Sequence, residues 1–437
     1  MKPNQHLTQI MNFITKKHFF FLALILMLLA GILSLKQEET WAAPQSRFWD
    51  IQAVDTMKYS RDVSREKLND PTFDVEINRQ MKDIADLGAT HVGIATPYDD
   101  EFLPILKRWV KSAREHNLKI WFRGNFSGWE QWFEYPKITR EQHLDKTKRF
   151  IESNPELFED GDIFSACPEC ENGGPGDPRM NGDATGHTKF LIDSYNVSKE
   201  AFRKIKKDVP SNYMSMNGDV ARLIMTPETT KALDGLVTID HYVETPEKLE
   251  QDIKDYAQNS GGQVFLGEWG APIPDINGDL TPAQQAEWIK NAGTLLSSSQ
   301  DLAGLSYWVN KGGSTQLWNE NGTRRPAADA LKSLFKPSQA QFRVVNEAGG
   351  SISNALVEGT EESVFSNAQG YTALPYISSD QIVSVYANGY RTKEINIKTL
   401  KNSSLVVLQK ENENVLFRLQ KLIKQGFNFI NSPFKLN

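Results

Sequence analysis

The sequence is poor in the residues on which disulfide-rich, metal-binding and nucleic-acid-binding proteins depend. Its 437 residues include two cysteines and seven histidines, and the formal net charge is −6. A zinc site needs more ligands than Cys167 and Cys170 supply, and His91 and His187 lack the spacing of metal ligands. A nucleic-acid-binding protein normally presents a basic face, which this charge does not indicate. We therefore expect no metal, no cofactor and no nucleic-acid partner.

A long apolar run is present only near the N-terminus. Residues 19–35 are apolar and follow Lys16 and Lys17, and Ala42 comes shortly after the run. This order is typical of a secretory signal that is cleaved after Ala42. The run is also long enough for the alternative, an uncleaved membrane anchor. In either case residues 1–43 are predicted to direct export, so the rest of the chain would work outside the cell or at its surface. We also expect the protein to be a monomer.

The two cysteines lie three residues apart, in Cys167-Pro168-Glu169-Cys170. In an exported protein such a pair is expected to form a close disulfide. A thioredoxin-like redox motif would instead lie at the start of a helix, after a strand, in a small redox fold. The flanking sequence does not fit that context, so we expect a structural disulfide.

Residues 48–335 alternate between short buried strands and helices. Eight strand–helix units over roughly 290 residues match a (β/α)8 barrel, also called a TIM barrel. A doubly wound open sheet is the competing architecture, but it usually has a Gly-rich phosphate turn after its first strand, and this sequence has none. We expect the barrel domain to span residues 44–337. The predicted strands are residues 50–55, 89–96, 118–122, 162–166, 213–216, 235–239, 263–267 and 305–308.

The pattern changes after Pro337 to short alternating strands separated by turns rich in Gly and Asn. This predicts a small β-sandwich over residues 338–410. Turns such as Gly349-Gly350 and Ala387-Asn388-Gly389-Tyr390 make the segment similar to the carboxypeptidase regulatory-like (transthyretin-like) module, which implies a spacer or binding appendage. The tail, residues 411–437, has apolar residues at near-helical spacing. It is expected to lie on a membrane surface or to pack on the sandwich as a frayed amphipathic helix.

Polar and aromatic residues gather where the predicted barrel strands end, which is the active-site face of such barrels. The most informative is Glu268, in Gly267-Glu268-Trp269-Gly270 after the seventh strand. A carboxylate at the mouth of a buried strand is costly unless it has a partner or a function. The alternative is a salt-bridged structural Glu. The other candidates at strand ends are Asp55, Arg123, Asn125, Glu169, Glu171, Asn217, His241, Tyr242 and Trp308.

Two carboxyl groups on facing strands would suit glycoside hydrolysis. A retaining enzyme uses one as general acid and then base and the other as nucleophile, about 5 Å apart. Strands four and seven face each other across the barrel mouth, so Glu268 is expected to pair with Glu169 or Glu171. Counting from the strand start favours Glu169. Residues two apart on a strand point the same way, however, so both would face the cleft.

These motifs resemble clan A of the retaining glycoside hydrolases, which includes cellulases, mannanases and β-galactosidases. The resemblance covers about residues 48–335. It rests on a Glu after strand four, Gly-Glu-Trp-Gly after strand seven, an aromatic residue after strand six and a Trp on strand eight. It implies that Glu268 is the nucleophile, that Tyr242 donates a hydrogen bond to it beside the neighbouring His241, that Arg123 orients it, and that Trp308 floors the first sugar subsite.

The sequence departs from the clan at strand four. The clan usually has Asn immediately before the acid/base Glu, whereas here Pro168 precedes Glu169 and Cys170 precedes Glu171. Asn125, Asn172 or Asn217 would then have to make the usual contact with the 2-hydroxyl of the substrate. The spacing Glu-x-Glu-x-Gly also resembles some β-galactosidases, in which the second Glu is the acid.

Tryptophans in predicted loops are candidate stacking platforms for sugar rings, and this group includes Trp269. The sequence therefore predicts an exported retaining glycoside hydrolase that acts on a β-linked polysaccharide or oligosaccharide. The alternative is a non-catalytic carbohydrate-binding or cell-wall protein on an inactive barrel. A metal-dependent hydrolase is disfavoured because no His/Asp ligand cluster is evident at the strand ends. The loop tryptophans are Trp129, Trp132, Trp269 and Trp318.

Overall fold

The computed structural model describes residues 46–400 and 404–411. The predicted export segment and the predicted amphipathic tail lie outside these residues, so both stay predictions. Within the described ranges, no helix combines the length and apolar character that crossing a bilayer requires.

Eight parallel strands form the first sheet. They are β1 Ile51–Asp55, β2 His91–Ile94, β3 Lys119–Phe122, β4 Ile163–Phe164, β5 Met216–Asn217, β6 Leu236–Asp240, β7 Gln263–Trp269 and β8 Leu302–Tyr307. The spatial order is β4-β3-β2-β1-β8-β7-β6-β5, so the first and last strands are neighbours. Between β4 and β5 the backbone closes the ring, because Phe164 N donates to Pro210 O at 2.9 Å and Glu169 N donates to Ser215 O at 2.7 Å. The predicted barrel fold is confirmed.

Helices connect each strand to the next, as a parallel barrel requires. Their ends carry local signals: Gly88 ends the first with a left-handed φ of 95°, and Thr281 begins a later one with a capping box to Gln284. Single-turn helices lie at Met57–Ser60, Ser64–Lys67, Ser127–Glu130, Pro178–Asn181 and Pro274–Asn277. The connecting helices are α1 Asp74–Leu87, α2 Leu103–Glu115, α3 Arg140–Ser153, α4 Ala184–Ile205, α5 Gly218–Ile224, α6 Pro227–Ala232, α7 Pro246–Ser260, α8 Pro282–Ser297 and α9 Pro326–Phe335.

The barrel interior is apolar at one level and charged at the next. Trp121 and Phe265 form a buried cluster with residues of the neighbouring strands. Two residues further along β3, the guanidinium of Arg123 lies 4.7 Å from the centre of the Trp121 ring. Because side chains alternate along a strand, the residue that follows an inward Trp by two positions must also point into the barrel. The strand pattern therefore places Arg123 at the level where β7 ends.

The fourth strand is shorter than predicted, and this changes how its two candidate glutamates are presented. The sequence pattern predicts a strand over 162–166, but the ladder ends at Phe164, and Pro168 has no N–H with which to extend it. Glu169 has a left-handed φ of 45°, and Cys170–Asn172 forms a 3₁₀ turn. Glu169 and Glu171 therefore lie on a loop, and the expectation that they point the same way from a strand is wrong.

The C-terminal part is a small two-sheet β domain. Its strands are β9 Ser338–Asn346, β10 Leu356–Glu358, β11 Ser363–Phe365, β12 Tyr371–Tyr376, β13 Ile382–Tyr386, β14 Lys393–Asn396 and β15 Ser404–Leu408. One sheet has the strand order β11-β10-β13-β14 and the other β12-β9-β15, and between them lies a core that includes Phe342, Val357, Leu374 and Val385. A small all-β domain after the barrel is thus confirmed, whereas its likeness to the transthyretin-like module and the domain boundaries stay predictions.

Candidate active site

A buried ionic cluster lies where β1, β3, β6 and β7 end. Arg123 Nη1 donates to Asp55 Oδ2 at 2.8 Å and to Glu268 Oε1 at 2.6 Å. Its Nη2 donates to Asp240 Oδ2 at 2.9 Å and to Ser215 Oγ at 3.1 Å. One guanidinium thus faces three carboxyl groups. Burial, against the opposing charge of Arg123, raises the pKa of Asp55 and of Asp240, so these two carboxyl groups bind protons more readily than free aspartates do.

Glu268 is fixed by hydrogen bonds to both carboxylate oxygens. Arg123 Nη1 donates a hydrogen bond to Oε1, and the hydroxyl of Tyr242 donates one to Oε2 at 2.7 Å. Burial and the neighbouring Glu268 raise the pKa of Tyr242 well above its usual value, so its hydroxyl stays a donor. The glycine before Glu268 is required by packing, because a Cβ on Gly267 would lie 2.4 Å from Asp240 Oδ1. These contacts hold a carboxylate in one orientation, as the family resemblance implies for the nucleophile.

Glu169 lies opposite this carboxylate. One carboxyl oxygen from each of Glu169, Asp240 and Glu268 lies within 4.8 Å of the others. This separation fits the roughly 5 Å of a retaining pair and is shorter than the 6.5–9.5 Å or so of an inverting pair. Burial and the negative charge of Glu268 raise the pKa of Glu169 to about 8. At neutral pH Glu169 therefore carries a proton that it can donate.

The loop that carries Glu169 is closed by a disulfide. Cys167 and Cys170 form the expected bond, with their Cα atoms 5.2 Å apart. Trp129 Nε1 donates to Cys170 O at 3.1 Å, and Gly174 N donates to Trp129 O at 2.7 Å. The left-handed backbone of Glu169 costs about 1–3 kcal/mol for a residue other than glycine, and such strain persists where the surroundings determine the conformation.

Glu171 is buried and engaged elsewhere. Its Oε1 accepts hydrogen bonds from the backbone N of Asn217 at 2.6 Å and from the side-chain Nδ2 at 2.9 Å. Asn217 remains partly exposed, and its Nδ2 also lies 3.3 Å from Asn172 Oδ1. Among the described residues, the set of three carboxyl groups that lie within 4.8 Å of one another includes Glu169 but not Glu171. Glu169 is therefore the strand-four glutamate that lies near Glu268, whereas Glu171 holds Asn217 in place.

Asn125 does not reach a cleft surface. It is fully buried, and its Nδ2 donates to Glu130 Oε1 at 2.7 Å. Its Oδ1 accepts from Phe126 N at 2.8 Å and pairs with His143 Nε2 at 3.0 Å. The expectation that Asn125 contacts the substrate is wrong, because every polar atom of its side chain already has a partner. Asp55 is likewise buried against Arg123 rather than open to a ligand.

Most of the loop tryptophans belong to the core. Trp129, Trp269 and Trp318 are buried, and among the five candidate tryptophans only Trp132 and Trp308 are partly exposed. The Trp269 ring packs 5.4 Å from Tyr307 and 6.2 Å from Trp288, measured between centroids. The prediction that Trp269 stacks on a sugar is therefore wrong, because its ring fills the space between β8 and α8.

Trp308 and His241 lie in different surroundings. The Trp308 ring is partly exposed and meets Tyr242 edge to face, with centroids 6.0 Å apart; Tyr242 in turn donates to Glu268. The His241 side chain is buried, with Nε2 2.8 Å from Asp252 Oδ2 and its ring packed 5.5 Å from that of Tyr256. Burial lowers the pKa of His241, so the imidazole is neutral and its orientation is set by Asp252. The expected substrate contacts of Trp308 and His241 stay predictions.

Three residues of the site were given no role from the sequence: Asp240, which was placed at the end of the sixth strand, Ser215 and Glu130. Asp240 follows the inward Thr238 by two positions on β6, so strand alternation could have identified it. Ser215 and Glu130 gave no such signal. Glu130 accepts a hydrogen bond from Asn125, and burial raises its pKa to about 7.

The three close carboxyl groups also form a candidate metal-ligand set, which the sequence analysis did not identify. Carboxylate oxygens suit hard cations. However, Arg123 already donates to both Asp240 and Glu268, and Tyr242 donates to the second oxygen of Glu268. A cation would have to compete with this guanidinium, so the residues fit a metal ion poorly.

No protein-family model matches this sequence, and no curated protein matches it either. Among proteins of known structure, a GH5_18 from Bifidobacterium longum subsp. infantis is 16% identical, with 69% of this chain and 84% of that chain covered and a TM-score of 0.48.

Two further structures are similar. Bacteroides uniformis beta-glucuronidase 2, covalently bound to cyclophellitol-6-carboxylate aziridine, is 9% identical over 83% of this chain and 46% of that chain, with a TM-score of 0.47. The beta-glycosidase BGL167 is 14% identical over 67% of this chain and 97% of that chain, with a TM-score of 0.45. These identities and TM-scores are too low to carry an argument, so the fold is assigned from the strand pairings described above.

Proposed function

We propose that this protein is a retaining glycoside hydrolase that cleaves a β-linked polysaccharide or oligosaccharide. The observation that carries the proposal is the pair Glu169 and Glu268, whose carboxyl oxygens lie within 4.8 Å of each other across the barrel mouth. Their environments differ as the two roles require, because Glu169 has a raised pKa and Glu268 is held by two donors. Pairs of carboxyl groups in such unlike surroundings divide into acid and nucleophile.

In the first step, Glu268 attacks the anomeric carbon while Glu169 gives its proton to the leaving oxygen. The glycosidic C–O bond breaks, and the sugar becomes an ester of Glu268. In the second step, Glu169 removes a proton from water, and the resulting oxygen displaces Glu268 at the same carbon. Two displacements restore the original anomeric configuration. Arg123 and Tyr242 balance the charge of Glu268 whenever it is a free carboxylate.

The setting of this activity also remains a proposal. We infer export through residues 19–35, with either cleavage after Ala42 or membrane anchoring, and a monomer acting at or outside the cell surface. The β domain over residues 338–410 would serve as a spacer or binding appendage. None of these statements is needed for the chemistry at Glu268.

The stereochemistry of the product tests the proposal. Wild-type protein and Glu268→Gln are screened against aryl β-glycosides, and the anomeric proton of the first-formed sugar is followed by NMR for the sugar that is cleaved. We expect the β-anomer to appear first and then to mutarotate. An α-anomer would exclude retention. Glycan binding without turnover by the wild type would favour the alternative, a carbohydrate-binding protein on an inactive barrel.

A further inference from the structure

We propose that the Cys167–Cys170 disulfide is a positioning element for the carboxyl group that donates the proton. The bond closes a ring around Pro168 and Glu169 and thereby sets the direction of the Glu169 side chain. This inference rests on the proposed function, in which Glu169 is the acid/base. The cysteines would affect proton transfer only by positioning Glu169, without contacting the substrate.

Glu169 depends on its backbone for position. Among the described residues, no side chain or backbone group makes a hydrogen bond to its carboxyl group, whereas Glu268 has a donor on each oxygen. The carboxyl group must nevertheless remain within 4.8 Å of Glu268. Its placement therefore comes from the backbone conformation at Glu169 and from whatever restrains that conformation.

The disulfide is the covalent restraint on that conformation. Only Pro168 and Glu169 lie between the two cysteines, and proline fixes its own φ. Glu169 has a left-handed φ of 45°, which a residue other than glycine seldom adopts without a restraint. Opening the ring would let Glu169 return to a commoner backbone region. The side chain would then leave the direction of the glycosidic oxygen.

The disulfide contributes little to the stability of the whole fold. A bond that closes such a short loop removes little conformational entropy from the unfolded chain, since the effect grows with loop length. The loop also keeps other attachments, because Glu169 N donates to Ser215 O and Trp129 Nε1 donates to Cys170 O. A variant without the disulfide should therefore fold, with its defect confined to the proton donor.

Both cysteines are buried, with relative exposures of 0% for Cys167 and 1% for Cys170. Thiol–disulfide exchange requires access of a thiolate to sulfur, so the folded protein protects the bond. The bond is accordingly a permanent part of the site rather than a redox switch. Substitution of the cysteines is the most direct way to remove it.

The test compares two leaving groups in the full-length wild type and in the double variant Cys167→Ala/Cys170→Ala. The substrates are the phenyl and 2,4-dinitrophenyl β-glycosides of the sugar that the wild type cleaves. A displaced acid slows departure of phenol, which needs a proton, and spares dinitrophenol, which does not. We expect kcat/KM on the phenyl glycoside to fall about 10- to 100-fold, a part of the full contribution of a general acid, while the dinitrophenyl value changes less than about threefold.

Two further measurements keep the outcome decisive. The alkaline limb of the pH profile should shift in the double variant, because the surroundings of Glu169 change. If the alanine variant fails to fold, Cys167→Ser/Cys170→Ser is used instead.

The outcomes separate the two proposals. Wild type that cleaves no glycoside of the panel contradicts the proposed function. If the wild type cleaves both substrates and the variants lose the same factor of activity on each, or lose none, the positioning role is overturned and the proposed function remains intact. Selective loss on the phenyl glycoside supports the positioning role.

Discussion

The two sides of the cleft hold their carboxyl groups by different means. Glu268 ends a regular strand, and Arg123 and Tyr242 each donate to one of its oxygens. Glu169 lies on a loop with left-handed backbone, between two bonded cysteines, and its carboxyl group has no hydrogen-bond donor among the described residues. A charged nucleophile gains from donors, whereas a proton donor must keep its proton. The difference in support thus follows from the difference in role.

The electrostatics agree with this division. Donors stabilise a carboxylate anion, and burial without donors disfavours it. The raised pKa of Glu169, about 8, arises from burial first and from the charge of Glu268 second. If Glu169 had donors like those of Glu268, its pKa would fall and it would lose its proton at neutral pH. A carboxyl group without hydrogen-bond donors, positioned by a restrained backbone, keeps its raised pKa and stays in place.

The largest effect is expected for Glu268→Gln. The amide keeps the shape but cannot form the glycosyl ester, so kcat should fall by at least about 10⁴-fold, the order seen when a covalent nucleophile is removed. Steady-state kinetics on the dinitrophenyl glycoside gives the value, because that substrate needs no acid. A variant that keeps a substantial part of wild-type activity would remove Glu268 from the role.

Glu169→Gln should come next, and its effect should depend on the leaving group. We expect kcat/KM on the phenyl glycoside to fall about 10²- to 10⁴-fold, with a much smaller loss on the dinitrophenyl glycoside. The pH profile gives a second test. Because the pKa of Glu169 is raised to about 8, the acid form predominates below that pH, and wild-type kcat/KM should decline above it.

The alkaline limb should be absent in Glu169→Gln, since the amide does not titrate. An unchanged limb in this variant would show that another group governs it. The dinitrophenyl glycoside serves as the internal control, because proteins that are merely misfolded lose activity on both substrates.

The architecture of the barrel and the Glu268 side of the site were largely predictable from the sequence. Arg123 directly follows β3, Tyr242 lies two residues after β6 and Glu268 is the second-last residue of β7, so alternation and strand order place them together. The Glu169 side was less predictable, because its geometry depends on the early end of β4 and on a left-handed residue, which strand periodicity does not reveal. The sequence also could not separate buried from exposed tryptophans, and Trp269 shows this most clearly.

Tyr242→Phe should weaken the nucleophile without removing it. The change deletes the hydrogen bond to Glu268 Oε2 and leaves Arg123 on Oε1. A hydrogen bond to a charged group contributes about 1.5–3 kcal/mol, so kcat should fall about 10- to 100-fold. The loss should be similar on both leaving groups, unlike that of Glu169→Gln. A loss confined to the phenyl glycoside would place Tyr242 on the acid side.

Glu171→Gln should have the smallest effect and is the matched control for Glu169→Gln. The glutamine oxygen can still accept from Asn217, which the Glu171 carboxylate now holds. We expect kcat/KM to fall less than about tenfold, in proportion to one weakened hydrogen bond, with the leaving-group ratio unchanged. If Glu171→Gln instead shows the selective loss on the phenyl glycoside, the acid/base assignment moves from Glu169 to Glu171.

Covalent trapping would show directly whether Glu268 is the nucleophile. Wild type, Glu268→Gln and Glu171→Gln are incubated with a panel of 2-deoxy-2-fluoro β-glycosyl fluorides, and intact mass and peptide mapping follow. We expect one added fluoroglycosyl group in the wild type and in Glu171→Gln, mapped to Glu268, and none in Glu268→Gln. An adduct on Glu169, or on any residue other than Glu268, would contradict this role of Glu268.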